Sequence, residues 1–202
     1  MRKYFEKGGV IAALVLIAFG IGAIALGING GMTVRDSLAE EKIVGSENMT
    51  VAAAKAEAAE AKLPAGTPLP TCDVAGKSVD TGAEARCFAS YIRLHTLEAT
   101  GGLTYAQMGR FASEDGSQTG TNDPTAAAKD ETGAPIANGA RNIWVTSTAL
   151  QTALNTSYMA EQVALFGIVV GIALLLAGIG FGVLTLGGAL RREPTGMVVP
   201  TT

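Results

Sequence analysis

The chain has 202 residues, 26 of them glycine, and is 48% hydrophobic but only 5% aromatic. That combination suits close-packed membrane helices and argues against a large water-soluble core, and the length fits one modest domain plus membrane segments. The formal charge is −3, yet residues 30–161 hold ten Lys/Arg against sixteen Asp/Glu, a net of −6; such an acidic middle offers no basic stripe and excludes nucleic acid as a partner.

Residues 1–9 carry Arg2, Lys3 and Lys7 against Glu6, and the nineteen residues from Val10 to Ile28 carry no charge. A basic start before an apolar run is also the signal-peptide pattern, but the run exceeds the ~7–15 residues of an h-region and no clean small-x-small cleavage site follows. Residues 10–29 are therefore expected to form an uncleaved first transmembrane helix. Gly9, Ala13, Gly20, Gly27 and Gly31 share one side of it, with Ala23 at the edge.

In "MTVRDSLAEEKIV", Val34 and Leu38 continue that seam. Either a short juxtamembrane helix frays near Gly45, or the first helix extends outward and pairs with the incoming stretch 146–162. "MTVAAAKAEAAEAK" reads as a helix capped by Thr50 and ending before Leu63 and Pro64, with a mostly alanine face. "LPAGTPLPT" holds three prolines and should be an extended connector. Val74 and Val79 flank an Ala-Gly-Lys turn, consistent with a small hairpin. Asp80 or Thr81 can cap a helix from about Gly82 to Thr100, with Gly101–Gly102 as its stop. Phe88, Tyr91, Ile92 and His95 share one face of it, and "LTYAQMGRF" reads as one more helical turn. Residues 112–141 have almost no large apolar side chains, so burial cannot repay the entropy of ordering them, and a flexible loop is expected. Trp144 is expected to plug onto the Phe88/Tyr91 face, and Thr146 or Ser147 to cap the last helix.

That helix should run from about 146 through a second span at 162–190, since no ionisable residue occurs between Glu161 and Arg191 and the run exceeds the ~20 residues that cross a bilayer core. Ala153, Ser157, Ala160, Ala164, Gly167, Gly171, Gly178 and Gly182 recur at three-, four- and seven-residue steps, which keeps one helix face thin. Small faces mark close helix contacts in lipid. Gly20, Gly27, Gly167, Gly171, Gly178 and Gly182 are thus candidate packing residues, between the two spans of one chain or against another subunit. Arg2, Lys3 and Lys7 before the first span and Arg191–Arg192 after the second place both termini in the cytoplasm. The expected fold is mainly α: an antiparallel two-helix transmembrane hairpin, with a small extracytoplasmic domain at 30–161 inserted between the spans and a cytoplasmic tail at 191–202.

Cys72 and Cys87 are the two cysteines, and on the oxidising side an even count argues for a structural disulfide; the CxxC of a redox pair is absent. His95 is the sole histidine, too few for a zinc or non-haem iron site. Asp115, Ser117, Thr119, Gly120, Thr121 and Asp123 imitate an EF-hand loop, but its twelfth position is Ala126 instead of Glu, so a solvated loop is expected. The sequons at Asn48 and Asn155 have a high chance frequency. No nucleophile elbow, phosphate loop or dinucleotide fingerprint occurs, and no catalytic residue, cofactor or metal is assigned.

The segments "LHTLEATGGLTYAQM", "LAEEKIVGS" and "NTSYMAEQVALFGIVVGIALLLAG" resemble a family of actinobacterial two-span membrane proteins of uncharacterised function, often labelled aromatic ring-opening dioxygenase LigA-like. The likeness runs from the first span to the second. The label implies a dioxygenase, whose extradiol iron needs two histidines and a carboxylate; one histidine is present. The expectation is accordingly a non-enzymatic envelope protein, multi-pass in the plasma membrane. It would be an accessory or scaffold subunit whose partners are the lipid bilayer and a membrane protein or second copy met through the Gly-rich faces. The alternative is an extracytoplasmic sensor or ligand-binding module using Phe88, Tyr91 and Trp144.

Overall fold

In a computed structural model that describes residues 2–187, with side chains from Lys7 onward, the chain is mainly helical. The elements are α1 (Arg2–Glu40), α2 (Val51–Glu60), α3 (Gly82–Ala99), a 3-10 turn at Tyr105–Gln107, and α4 (Gly139–Leu186). Among the described residues there is no strand, only isolated bridges. Residues 188–202 lie outside the described residues, and with them the end of the second span, the Arg191–Arg192 flank and the tail. The side chains of Arg2 and Lys3 lie outside them as well. The chain divides into two compact units, one of Met1–Gly31 with Val163–Thr202 and one of Met32–Gln162.

The first unit contains the apolar parts of α1 and α4, both long and apolar enough to cross a membrane, with windows of mean hydropathy 2.7. Its large side chains point away from the protein: Phe19, Leu26, Phe166 and Val183 are each at least 60% exposed. The small residues do the opposite. A Cβ on Gly20 would lie 2.7 Å from the Gly171 carbonyl oxygen, and one on Gly27 would lie 2.6 Å from that of Ala164. A Cβ on Gly178 would meet Ala13 O at 3.0 Å and Ile17 Cγ1 at 2.8 Å. Contact is looser at Gly167 and Gly182, where an added Cβ would lie 3.7 Å from Ala23 O and 3.9 Å from Ala13 Cβ respectively. By contrast nothing approaches within 4 Å of Gly22 or Gly180.

In the second unit, α3 is the central helix. Thr81 caps it through Glu84 N, while the Glu84 carboxylate accepts from the N–H groups of Asp80 and Thr81. At the other end Gly101, at φ 61°, lets Gly102 N–H bond back to Leu97 O at 2.7 Å, the Schellman closure that glycine favours. Three apolar clusters surround α3: Tyr91, Leu94 and Cys87 with Met49, Ala54 and Val74; Ala85 and Ala89 with Leu38, Val79 and Leu154; and Leu97 with Met108 and Trp144. Thr50 caps α2, whose end reuses the same closure with Lys62 at φ 51° and Leu63 N bonding to Ala58 O.

Four expectations need correction. The Val74–Val79 turn is not a self-paired hairpin; its bridges go to the chain after α1, Ala75 to Gly45 and Ser78 to Val44. Gly45 has no side chain to obstruct this, and a Cβ there would lie 1.9 Å from Val74 O. Trp144 packs on Leu97 and Met108, not on Phe88 and Tyr91, because the Tyr91 side is already filled from α2. The last helix begins at Gly139, not near 146, because Asn138 is the better cap: its Oδ1 accepts from Ala140 N at 3.1 Å. Finally, residues 112–141 have more structure than their composition suggests. Phe111 bridges both Thr121 and Ala137, Ser113 bridges Ala127, and Lys129 bridges Pro135.

Candidate functional site

The surface singled out for ligand binding is closed. Tyr91 is 1% exposed and its hydroxyl donates to Cys72 O at 2.8 Å; burial, then the nearby Asp73 charge, pushes its pKa up. Trp144 is buried in a different cluster, with the Arg93 guanidinium 4.4 Å above its ring. The three aromatics therefore do not converge on one cleft. Cys72 and Cys87 are joined in a disulfide with Cα atoms 6.0 Å apart, which ties the segment before α3 to its first turns.

His95, on α3, places Nε2 3.3 Å from Glu57 Oε1 on α2. Burial, and then a hydrogen bond with Glu98, raise the Glu57 pKa above 4.5, with His95 pulling the other way. This pairing fastens the alanine-faced α2 to α3. Among the described residues no group of three or more His, Cys, Asp and Glu is placed to hold a metal ion.

Among the described carboxylates Glu161 makes the hydrogen bonds that span the most sequence. It joins residues far apart in sequence, accepting from Arg35 Nε on α1 at 3.0 Å and from the backbone N–H of Gly82 at 3.0 Å. That N–H opens α3, so the negative charge also sits at the positive end of a helix dipole. Gly82 allows the approach, since a Cβ there would lie 2.8 Å from Tyr158 Cα. Next to it Arg86 stacks on Tyr158, 4.7 Å from the ring centroid. No sequence signal marked Glu161 beyond its being the last charge before the apolar run.

The EF-hand-like residues are spent on their own backbone. Asp115 accepts from the Ser113 hydroxyl and Ser117 N, and Asp123 accepts from Thr125 N and Oγ1; these bonds hold both carboxyls below their ordinary range. A groove of about 380 Å³ has Ser117, Asn138 and Ile143 in its lining, and the Asn138 amide already donates to Gly109 O and Gln118 O. Asn48 is exposed, whereas the Asn155 amide bonds back to Gln151 O at 2.8 Å. No protein-family model, curated protein or solved structure matches the chain.

Proposed function

We propose that this is a non-enzymatic integral membrane protein of the cell envelope, an accessory or scaffold subunit that presents a small disulfide-stapled domain outside the membrane. The observation that carries the reading is the inverted surface of the first unit: Phe19, Leu26 and Phe166 lie outward while glycines line the inside. In water such a surface would drive aggregation; in lipid it is solvated, and close contact of small residues replaces the hydrophobic drive. Residues of α1 meet α4 in reverse order, Ala13 by Gly178, Gly20 by Gly171 and Gly27 by Ala164. This supports an antiparallel transmembrane hairpin with residues 30–161 between its spans.

Positive flanks orient both termini to the cytoplasm of a plasma membrane, and the Cys72–Cys87 bond fits an oxidising exterior. Membership of the two-span actinobacterial family belongs to the same proposal, with the dioxygenase label left aside for want of ligands. Thiol-label mapping on intact cells tests it. Cys72 and Cys87 should stay unreactive until reduced and then react with an impermeant reagent; reduced, cytoplasmic cysteines would overturn the topology. Purification in mild detergent should then bring down a membrane partner or a second copy, and a solitary monomer at native expression would count against the scaffold role.

A further inference from the structure

Most arginines of the second unit are spent on rings, not on carboxylates. Arg86 lies over Tyr158 at 4.7 Å, Arg93 over Trp144 at 4.4 Å, Arg110 over Phe111 at 5.5 Å and Arg141 over Tyr105 at 4.1 Å. Among the described residues the ion pairs are Arg35–Glu161 and His95–Glu57, so none of these four guanidiniums meets a carboxylate. A ring occupies the face of a guanidinium and leaves the N–H edge open to an acceptor.

Arg86 and Arg93 share one seam. They stand seven residues apart on α3, and the rings they cover, Tyr158 and Trp144, stand fourteen apart on α4, so each pair repeats along a single helix face. Gln151 falls midway between the rings in the same repeat, and its Nε2 is buried without an acceptor. Such a donor costs about 1–3 kcal/mol; Gln151 is itself half-buried, so a turn of its side chain brings the amide to an incoming carbonyl. No acid intrudes on the strip. The positions three and four residues to either side of Arg86 and Arg93 are uncharged, and so is α4 from Asn142 to Ala160. Two unspent cations and an unsatisfied amide thus lie in a row, with Arg86 exposed and Arg93 half-buried.

We propose that this α3–α4 seam docks an acidic segment of a partner protein in extended form, with Arg86 and Arg93 each receiving a carboxylate and Gln151 a main-chain carbonyl. The inference rests on the accessory-subunit reading above and names the chemistry of the partner. Planar N–H forks match carboxylates, and length selects the kind of ligand. The two rings are about 21 Å apart along α4, too far for one small anion but covered by six or seven residues of extended chain. A lipid headgroup does not fit either. Trp144 stands nineteen residues before Val163, about 28 Å along the helix from the apolar run, whereas the headgroup layer is about 5–8 Å deep. The net of −6 over residues 30–161 turns an acidic segment away elsewhere, while screening beyond ~8 Å leaves the local arginines to decide at the seam.

The test uses the full chain in mild detergent and a fluorescein-labelled (Glu-Ala)4 peptide, whose carboxylates fall on one side of an extended chain. Anisotropy reads binding, and Trp144, the one tryptophan, should change its emission as Arg93 is drawn off its ring. The parent chain should bind this peptide and not (Lys-Ala)4. Arg86→Gln and Arg93→Gln should each weaken binding roughly tenfold, with helix content and the native disulfide intact. Lys129→Gln, which removes the same charge from an exposed loop, should leave binding unchanged. Failure of the parent chain to bind, or equal affinity of the parent and the double arginine variant, overturns the proposal. So does competition by inorganic phosphate or phosphatidylglycerol vesicles that equals competition by unlabelled (Glu-Ala)4 at the same anion concentration. A partner that still co-purifies after such a failure leaves the accessory-subunit reading standing; peptide binding with no co-purifying partner supports the seam and counts against that reading.

Discussion

Replacing Gly20 by alanine adds one methyl group where the structure has no room for it. Its carbon would lie 2.7 Å from Gly171 O, 2.8 Å from Leu175 N and 3.1 Å from Leu175 Cα, all backbone atoms that no rotamer change can move. Comfortable carbon contacts start at about 3.5 Å, so the helices must part locally by close to 1 Å, which forfeits a quarter to a half of each neighbouring dispersion contact. Overpacking of this kind costs about 1–3 kcal/mol. Alanine also gains up to ~1 kcal/mol of helix propensity over glycine, which would blur the result for one variant alone. Gly22→Ala removes the ambiguity: it gains the same propensity, and nothing stands within 4 Å of its Cβ. The difference between the two variants is therefore the contact itself, about 1–3 kcal/mol with Gly20→Ala the weaker. The assay is titration of the detergent-solubilised chain with dodecyl sulfate, read by energy transfer between fluorophores on α1 and α4. Combining Gly20→Ala with Gly171→Ala should be less than additive, because both methyls open the same gap. Equal midpoint shifts for Gly20→Ala and Gly22→Ala would refute the reasoning.

Four further outcomes are expected. Joint replacement of Cys72 and Cys87 by serine should lower the stability of the second unit by about 3 kcal/mol in the chain-entropy model for the sequence separation of 15, seen as a lower denaturant midpoint for Trp144 fluorescence. Glu161→Gln should cost about 1 kcal/mol, since Arg35 is mostly exposed and solvent screens the pair; hydrogen exchange should quicken at Gly82 before it quickens at Leu94. Asn138→Ala removes a helix cap and two carbonyl contacts, so about 1–3 kcal/mol should be lost, with exchange rising across Gly109–Thr121. Acidification should act in opposite directions at two places. The Glu57 pKa is raised by burial and then by Glu98, so its contribution is full below 4.5 and falls away as pH rises through the raised value. Burial pushes Glu84 up, but the Thr81 hydroxyl and the N–H groups of Asp80 and Thr81 outweigh it, so its contribution is present above 4.5 and is lost as pH falls through the lowered value. After correction for intrinsic exchange, protection of α2 should grow on acidification and that of the first turn of α3 should shrink; Glu57→Gln should flatten the former.

Local signals in the sequence were legible where local chemistry decides the outcome. Thr50 and Thr81 cap α2 and α3, and Gly101–Gly102 stops α3, because a cap or a left-handed turn involves only residues a few positions apart. The disulfide follows from an even cysteine count in a segment expected to face the oxidising side. What escaped depends on partners distant in the chain. Trp144 meets α3 as expected but at a different cluster, since no periodicity in α3 separates the face that α2 fills from the end that Met108 fills. Thr146 and Ser147 had the residue types of a cap, but Asn138 also reaches Gly109 O and Gln118 O, residues 29 and 20 positions away. Glu161 was invisible for the same reason, its two partners lying 126 and 79 residues away.

The stretch 112–141 shows how a segment poor in apolar residues acquires a shape. Burial contributes little there, and Ala127 is one of its few deeply buried side chains. The ordering comes from short-range polar bonds: Asp115 to Ser117 N, Asp123 to Thr125 N, and Asp130 to both Thr132 N and Ala134 N. Each aspartate closes a turn two to four residues long, so little chain entropy is spent per bond. These turns hold Phe111 between Thr121 and Ala137, and Gly120 is required where they meet: it has φ 62° and its Cβ would lie 2.4 Å from Phe111 O. Gly120→Ala should therefore loosen the whole segment while Gly116→Ala, at a similar φ of 75° with nothing within 4 Å, shows only the backbone penalty of about 1–2 kcal/mol. Equal exchange rates at Phe111 N in the two variants would mean that Asx turns alone, without the central contact, set the fold of this segment.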